Sequence, residues 1–295
     1  MNAISGFDPV AELIELSIKE DITDPSGKIQ TGDHSALCCI PSNKIGKAQL
    51  LVKDDGVLAG VSIAERICQL IDSQLQLNVL IRDGETVSKG QIAFYVTGPE
   101  LKILQAERLM LNFMQRMSGI ATTTKFYVEA VAGTGVKILD TRKTTPGLRA
   151  FEKLAVKIGG GHNHRFGLYD MIMLKDNHVD FCGGISHAIL AAKNYKEKLG
   201  LSIPVEIETR SLDEVKEALE TGHIQRIMFD NFSPDHVATA VELVNRKVET
   251  EVSGGITLNT ISTYAAAKPD FISVGALTHS SRSLDLSLKA IKNQA

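Results

Sequence analysis

Between Asp140 and His178 the chain concentrates cations: Arg142, Lys143, Arg149, His162, His164, Arg165 and Lys175, with three consecutive glycines at Gly159 to Gly161. The stretch opens on an apolar run ending at Asp140 and closes on another ending at Lys175. Guanidinium groups grip carboxylates and phosphates through two parallel hydrogen bonds, and ammonium groups act as point charges. Two apolar runs that each stop at a charge therefore suit a pocket for a multiply anionic ligand better than a surface loop. Later runs stop at other residue types: at Glu208, at Asp230-Asn231, at Ser253-Gly254-Gly255 and at Gly275-Ala276-Leu277-Thr278-His279.

These types sort by chemistry. Two carboxylates suit ribose hydroxyls, or a Mg²⁺ ion that keeps its waters and bridges phosphates. Glycines with nearby hydroxyls suit a phosphate held by backbone N–H groups. Together they call for a terminal phosphate, a diol and further negative charge, as in a phosphorylated ribose carrying pyrophosphate. The basic cluster exceeds what one phosphate requires, so a second anionic partner is expected. No serine or cysteine triad pattern appears, and none is needed if the work is orientation and electrostatics.

The elements that must position these residues follow from periodicity. Short apolar runs at 136–140, 171–174, 205–208, 226–230, 249–253 and 271–275 alternate with helix-like segments at 184–199, 212–221, 235–245 and 259–267. That alternation means βαβ units and a parallel sheet. No G-x-G-x-x-G follows the first run, which disfavours a dinucleotide-binding sheet. A (β/α) barrel fits, with chemistry at the C-terminal ends of its strands. About six strands are visible, so the barrel is expected to be atypical and incomplete. Upstream, 9–19 reads as a helix, 23–35 as a loop, and 47–53, 77–81 and 92–96 as strands. The turn-rich segment Arg82 to Gly90 reads as a structural turn pair. A long helix begins near Pro99 and carries Arg108 just before the basic stretch.

Bulk properties exclude several classes. The 295 residues allow one large domain or two medium ones, and a net charge of −3 provides no global field for nucleic acid. No apolar run approaches the roughly 20 residues of a membrane helix, and the acidic amphipathic N-terminus does not read as a signal peptide. Cys38, Cys39, Cys68 and Cys182 lack metal-type spacing. Idle thiols in a reducing compartment are the expectation, and with it a cytoplasmic location.

The segments Glu107-Arg108, Asp140-Thr-Arg-Lys-Thr-Thr-Pro-Gly-Leu-Arg149, Gly160-Gly-His-Asn-His-Arg165, Lys175-Asp-Asn-His178, Glu206-Ile-Glu208, Asp230-Asn231, Ser253-Gly-Gly-Ile256 and Gly275-Ala-Leu-Thr-His279 resemble the quinolinate phosphoribosyltransferase family. The resemblance covers nearly the whole chain. It implies an N-terminal α/β sandwich domain at 1–117, to which 280–295 returns, and an incomplete α/β barrel at 118–279. It implies transfer of the phosphoribosyl group of 5-phosphoribosyl-1-pyrophosphate (PRPP) to quinolinate with loss of CO₂, a pentosyl transfer in NAD biosynthesis that requires Mg²⁺. On this resemblance Arg108, Arg142, His164, Arg165 and Lys175 hold the quinolinate carboxylates, with Thr141 beside them. Lys143 lies nearer the phosphoribosyl group. Glu208 and Asp230 hold the ribose hydroxyls and the Mg²⁺ waters. Ser253, Gly254, Gly255, Gly275 and His279 seat the 5′-phosphate. Lys143, Glu208 and Asp230 are the expected catalytic groups. The family also implies a homodimer, sometimes assembled to a hexamer, whose neighbouring subunit completes each site with a basic residue; Lys44, Lys47 and Lys53 are candidates. The segment Gly32-Asp33-His34-Ser35 departs from the Gly-Asp-aliphatic-Thr pattern of many relatives. A nicotinate enzyme needs only one basic group where two carboxylates call for a pair, and a non-catalytic binder has no need of Glu208 and Asp230.

Overall fold

A computed structural model describes residues 8–291. In chain order the elements are α1 (Pro9–Ile22), α2 (His34–Cys39), β1 (Ile45–Val52), β2 (Gly56–Val57), α3 (Val61–Ile71), β3 (Gln76–Val79), β4 (Thr86–Val87), β5 (Ile92–Pro99) and α4 (Glu100–Ala130). There follow β6 (Lys137–Leu139), α5 (Arg149–Ile158), β7 (Ile172–Leu174), α6 (Asp176–Cys182), α7 (Ile185–Leu199), β8 (Val205–Thr209), α8 (Leu212–Thr221), β9 (Arg226–Asp230) and α9 (Pro234–Val244). The last are β10 (Glu249–Ser253), α10 (Ile261–Ala265), β11 (Phe271–Ser273), α11 (Ala276–His279) and β12 (Leu286–Ala290).

These elements fall into two compact units. The first holds the described chain up to Thr123, then Thr145–Gly160 and the described chain from Ser281; the second holds Thr124–Thr144 and Gly161–Ser280. The boundaries expected from sequence, 117/118 and 279/280, differ from these by a few residues. The larger difference is Thr145–Gly160, which groups with the first unit.

The first unit is built on an antiparallel sheet in the order β12-β1-β5-β3. Leu50 and Val52 of β1 alternate inward with Phe94 and Val96 of β5, all with no exposed surface, the period of two that a sheet with one buried face requires. The turn-rich segment after β3 supplies β4, which pairs with β2. The C-terminal strand β12 pairs antiparallel with β1, Leu288 opposite Leu50. Its approach is fastened to α4: Leu284 N–H donates to the Gln115 carbonyl at 3.0 Å, and Gln115 Nε2 donates to the Leu286 carbonyl at 2.8 Å. Gly119 sits where this tail crosses α4. A Cβ there would stand 2.0 Å from the Arg282 carbonyl oxygen, so no side chain fits.

Within the same unit α5 packs by charge as well as by apolar contact. Glu152 is fully buried and accepts Arg116 Nε at 3.1 Å and Nη2 at 2.8 Å through one oxygen. Its other oxygen accepts the Thr145 N–H at 3.2 Å. Phe113 and Phe151 pack as a tilted pair with ring centroids 4.6 Å apart.

The second unit is a six-stranded, all-parallel sheet in the order β6-β11-β10-β9-β8-β7. Its strands match the expected runs, and α7 to α10 match the expected helical segments, while α6 and α11 fall outside them. Val205 to Thr209 of β8 are all buried, the pattern of a strand covered on both faces. A seventh contribution comes from a single parallel bridge between Leu139 and His162. Two hydrogen bonds make it: His162 N–H to the Ile138 carbonyl at 2.8 Å and Asp140 N–H to the His162 carbonyl at 3.1 Å. Among the described residues no strand joins this bridge to β7, so the barrel stays incomplete.

Candidate active site

All six strands run in one direction, so their C-terminal ends share one edge of the second unit. Register then decides which side chains share the interior face. Glu208 pairs with Met228 and Met228 with Glu251, while Ser253 pairs with Asp230. Side-chain contact joins Glu206, Arg226 and Glu251 into a lower level, although Glu251 is in register with Glu208, while Lys175, Glu208, Asp230 and Ser253 stand at the strand ends as an upper level.

At the upper level Lys175 Nζ lies 2.5 Å from Glu208 Oε1, and the Asp176 N–H approaches Glu208 Oε2 at 3.4 Å. Lys175 is held at the start of α6, its own N–H donating to His178 Nδ1 at 3.0 Å; that bond accounts for the first and last residues of Lys175-Asp-Asn-His178. Asp230 accepts from Asn231 Nδ2 at 2.8 Å. Burial raises the Asp230 carboxyl above its usual range, and the neighbouring Glu208 charge raises it further. Two carboxylates at adjacent strand ends thus repel each other across a short gap, the situation a bound cation relieves.

The cationic side is Arg142 and Arg165. Burial lowers the pKa of Arg165 and the like charge of Arg142 lowers it further, while Glu206, Asp170 and Glu208 act the other way. The Nε atoms of both arginines are buried without a hydrogen-bond partner in the chain. Arg165 Nη1 donates to the Met171 carbonyl at 3.2 Å. Leaving two guanidinium donors unsatisfied in a half-buried place costs about 1–3 kcal/mol each. A ligand that brings two acceptors repays it, and a carboxylate does so in a fork.

The phosphate-type residues lie on the same edge. Gly254 has φ +104°, and a Cβ there would clash with Asn231, whose N–H donates to the Ser253 carbonyl at 2.9 Å. Gly255 has φ +59° and open space around it. Thr141 Oγ1 accepts the Lys143 N–H at 3.0 Å, and Thr278 Oγ1 donates to the Lys143 carbonyl at 2.9 Å. A Cβ on Gly275 would meet both the His279 ring and the Lys143 side chain, so these three residues share one corner. Lys143 and His279 are exposed.

Two further expected residues are not on strand ends. Arg108 is exposed on α4 and belongs to the first unit, whereas the strand-end residues belong to the second. His164 is buried, 8% exposed, and both ring nitrogens face protein groups. Its Nδ1 accepts the Arg165 N–H at 2.7 Å. Its Nε2 lies 2.9 Å from Glu206 and 3.5 Å from Glu251.

Sequence reasoning passed over the residues that hold His164. Asp140, fully buried, accepts the His164 N–H at 2.8 Å on one oxygen and Asn163 Nδ2 at 2.6 Å on the other. Glu206, Arg226 and Glu251 form the buried lower level, with Arg226 Nη1 2.8 Å from Glu251 and 3.9 Å from Glu206. Arg226 also pairs with Glu249 and lies over the Phe271 ring. Burial lifts the carboxyls of Glu206 and Glu251 to about 7 each, against the pull of Arg226. The available signal was the repeated Glu-x-Glu in two strands, which puts both carboxylates of each strand on one face.

The fold is an incomplete parallel α/β barrel with cations, carboxylates and glycines at its strand ends. Residues 33–118 match the N-terminal domain of quinolinate phosphoribosyl transferase, and residues 120–289 match its C-terminal domain. The chain belongs to the quinolinate phosphoribosyltransferase family. It is 44% identical to the chloroplastic nicotinate-nucleotide pyrophosphorylase [carboxylating] of Arabidopsis thaliana, over 94% of this chain and 81% of that protein. It is 42% identical to a probable nicotinate-nucleotide pyrophosphorylase [carboxylating] of Bacillus subtilis (strain 168), over 82% of each. The crystal structure of NadC from Streptococcus pyogenes superposes with a TM-score of 0.88 at 36% identity, over 98% of this chain and all of that one. The expectation of a cytoplasmic location is overturned: similar plant proteins are named chloroplastic, and one from Nicotiana glauca mitochondrial.

Proposed function

We propose that this chain transfers the 5-phosphoribosyl group of PRPP to the ring nitrogen of quinolinate, with decarboxylation, giving nicotinate mononucleotide, pyrophosphate and CO₂ for NAD biosynthesis. Family membership supports the reaction. The observation that carries the site is Arg142 and Arg165, two guanidinium groups of like charge whose buried Nε donors are both unsatisfied. Such a pair fits a pyridine dicarboxylate. Lys175 adds a third cation once a substrate carboxylate draws it from Glu208, and Arg108 is a further candidate ligand.

Orientation does most of the work. The cations hold the diacid so that its ring nitrogen faces the anomeric carbon of PRPP. Ser253, Gly254, Gly255, Gly275 and His279 seat the 5′-phosphate, and Thr141 and Lys143 border it. The nitrogen lone pair forms the bond to C1 as the C1–O bond to pyrophosphate breaks. Glu208 and Asp230 lie where positive charge builds on the sugar and lower its cost. The product is an N-ribosyl pyridinium. Loss of the carboxylate next to nitrogen as CO₂ leaves its electron pair on that carbon, stabilised by the adjacent positive nitrogen, and a proton from solvent completes nicotinate mononucleotide.

Glu208 and Asp230, mutually repelling at adjacent strand ends, fit a hydrated Mg²⁺ held through its waters. When bound with PRPP it would offset the charge of the departing pyrophosphate. A homodimer whose neighbouring subunit lends a basic residue belongs to the same reading. The test is steady-state CO₂ release and nicotinate mononucleotide formation from quinolinate, PRPP and Mg²⁺. Turnover with quinolinate and none with nicotinate is expected; the reverse preference would overturn the assignment.

A further inference from the structure

Cys38 and Cys39 close α2, and both are exposed. Adjacent side chains on a helix point about 100° apart and do not face each other. Here they meet: the two sulfurs lie 3.3 Å apart. The helix ends at this point, with Ile40 already extended at φ −113° and ψ 124°. The Cys38 S–H donates to the Ser35 carbonyl, also at 3.3 Å. With that proton committed, Cys39 is the donor within the pair. Its bond to Cys38, and the charge Cys38 can carry, raise the Cys39 thiol above its ordinary value.

The other cysteines differ. Cys68 is buried, 3.5 Å from the Met110 sulfur, and burial pushes its thiol up to about 12. Cys182 is exposed but has no neighbouring cysteine in the chain.

Geometry decides what can join Cys38 to Cys39. A direct disulfide does not suit them. Adjacent Cα atoms are about 3.8 Å apart across a trans peptide, short of the roughly 4.4 Å at which disulfides begin. A bridging atom lengthens the link and removes that conflict. Two bonds of about 2.3 Å from one centre to sulfurs 3.3 Å apart enclose an angle of roughly 90°. A structural zinc ion takes four ligands at wider, tetrahedral angles. Among the described residues no third His, Cys, Asp or Glu joins this pair at ligand spacing. A trivalent arsenic or antimony centre has the matching shape: its lone pair presses its bonds together toward a right angle, and two thiolates with one other substituent complete it.

We propose that Cys38 and Cys39 form a vicinal dithiol that chelates a pyramidal, thiophilic centre, trivalent arsenic or antimony, one atom bridging the two sulfurs. This stands apart from phosphoribosyl transfer, and it replaces the expectation of idle thiols at this pair. The reaction needs no oxidant. With phenylarsine oxide, both S–H bonds and the arsenic–oxygen bond break and two arsenic–sulfur bonds form. The oxygen leaves with both protons as water, and arsenic stays trivalent.

The probe is phenylarsine oxide, added in equal amount to the reduced full-length protein. Titration of the native protein with a chromogenic disulfide is expected to fall from three reactive thiols, the exposed ones, to Cys182 alone. Proteolytic mapping by mass spectrometry should place one phenylarsenic bridge on the fragment that carries both Cys38 and Cys39. The adduct should survive excess 2-mercaptoethanol and be removed by 2,3-dimercaptopropanol. Cys38→Ser and Cys39→Ser are each expected to release the arsenical at about 100-fold less 2-mercaptoethanol, because the second sulfur no longer binds intramolecularly. Cys182→Ser should retain it as wild type does. An adduct mapped elsewhere, or one that either single variant at the pair holds as tightly as wild type, overturns the proposal. Mapping uses the wild-type chain, so it decides the matter even where a variant fails to fold.

Discussion

Arg142→Ala should make the ligand-free protein more stable and almost inactive. In the free site Arg142 stands against Arg165, and its buried Nε has no partner. Removing it relieves an unsatisfied donor, about 1–3 kcal/mol, and a like-charge repulsion as well. Lost side-chain packing offsets part of this, leaving a gain on the order of 1 kcal/mol. At this chain length that is a rise in Tm of roughly 2–4 °C. Binding moves the other way. Deleting one member of a desolvated charge pair costs about 2–5 kcal/mol, which is roughly 30-fold to several thousandfold in kcat/KM for quinolinate. Differential scanning calorimetry of the free protein and steady-state kinetics read the two effects separately. A Tm several degrees lower, with turnover near normal, would make Arg142 an ordinary structural ion-pair member and refute the reasoning.

The remaining expectations concern stability. Glu152→Gln leaves Arg116 facing a neutral group in a buried place and should cost about 3 kcal/mol in urea unfolding, an effect absent if the pair is solvated. Gly119→Ala puts a methyl group against the Arg282 carbonyl, so the tail from Ser281 should become cleavable in limited proteolysis while the parent resists. The Glu251 carboxyl is raised by burial to about 7, so the folded state keeps a proton that the unfolded state releases near its ordinary value. That contribution is complete below about pH 4.5 and is lost as pH rises through about 7. Tm should therefore fall between pH 5 and pH 8, and Glu251→Gln should flatten the slope; an unchanged slope would contradict the burial argument.

Much of the barrel was readable before any coordinates, because each strand is an apolar run that stops at a polar residue. Ile207 points to the opposite face from Glu206 and Glu208, and an alternation of that kind survives in the sequence. The direction of a ring does not. His164 and Arg165 look alike as members of a basic motif, and only the coordinates set the His164 ring 2.9 Å from the buried Glu206. Asp140 was hidden for the same reason: a carboxylate at a strand end serves a substrate or a neighbouring loop equally well on paper. The placement of Thr145–Gly160 in the first unit was not legible either, since the buried Glu152 that ties it to Arg116 is 36 residues away in the chain.

The single hydrogen-bonded step at His162 leaves a seam in the wall of strands, and the Arg165 side chain is the stitch that crosses toward Met171. On the proposed reading, the group recruited by an incoming acid is also a fastening of the vessel that receives it. Occupancy must loosen or retie that stitch, so amide exchange along Phe166 to Met171 would register arrival of the acid far sooner than any rearrangement of the deeper sheet.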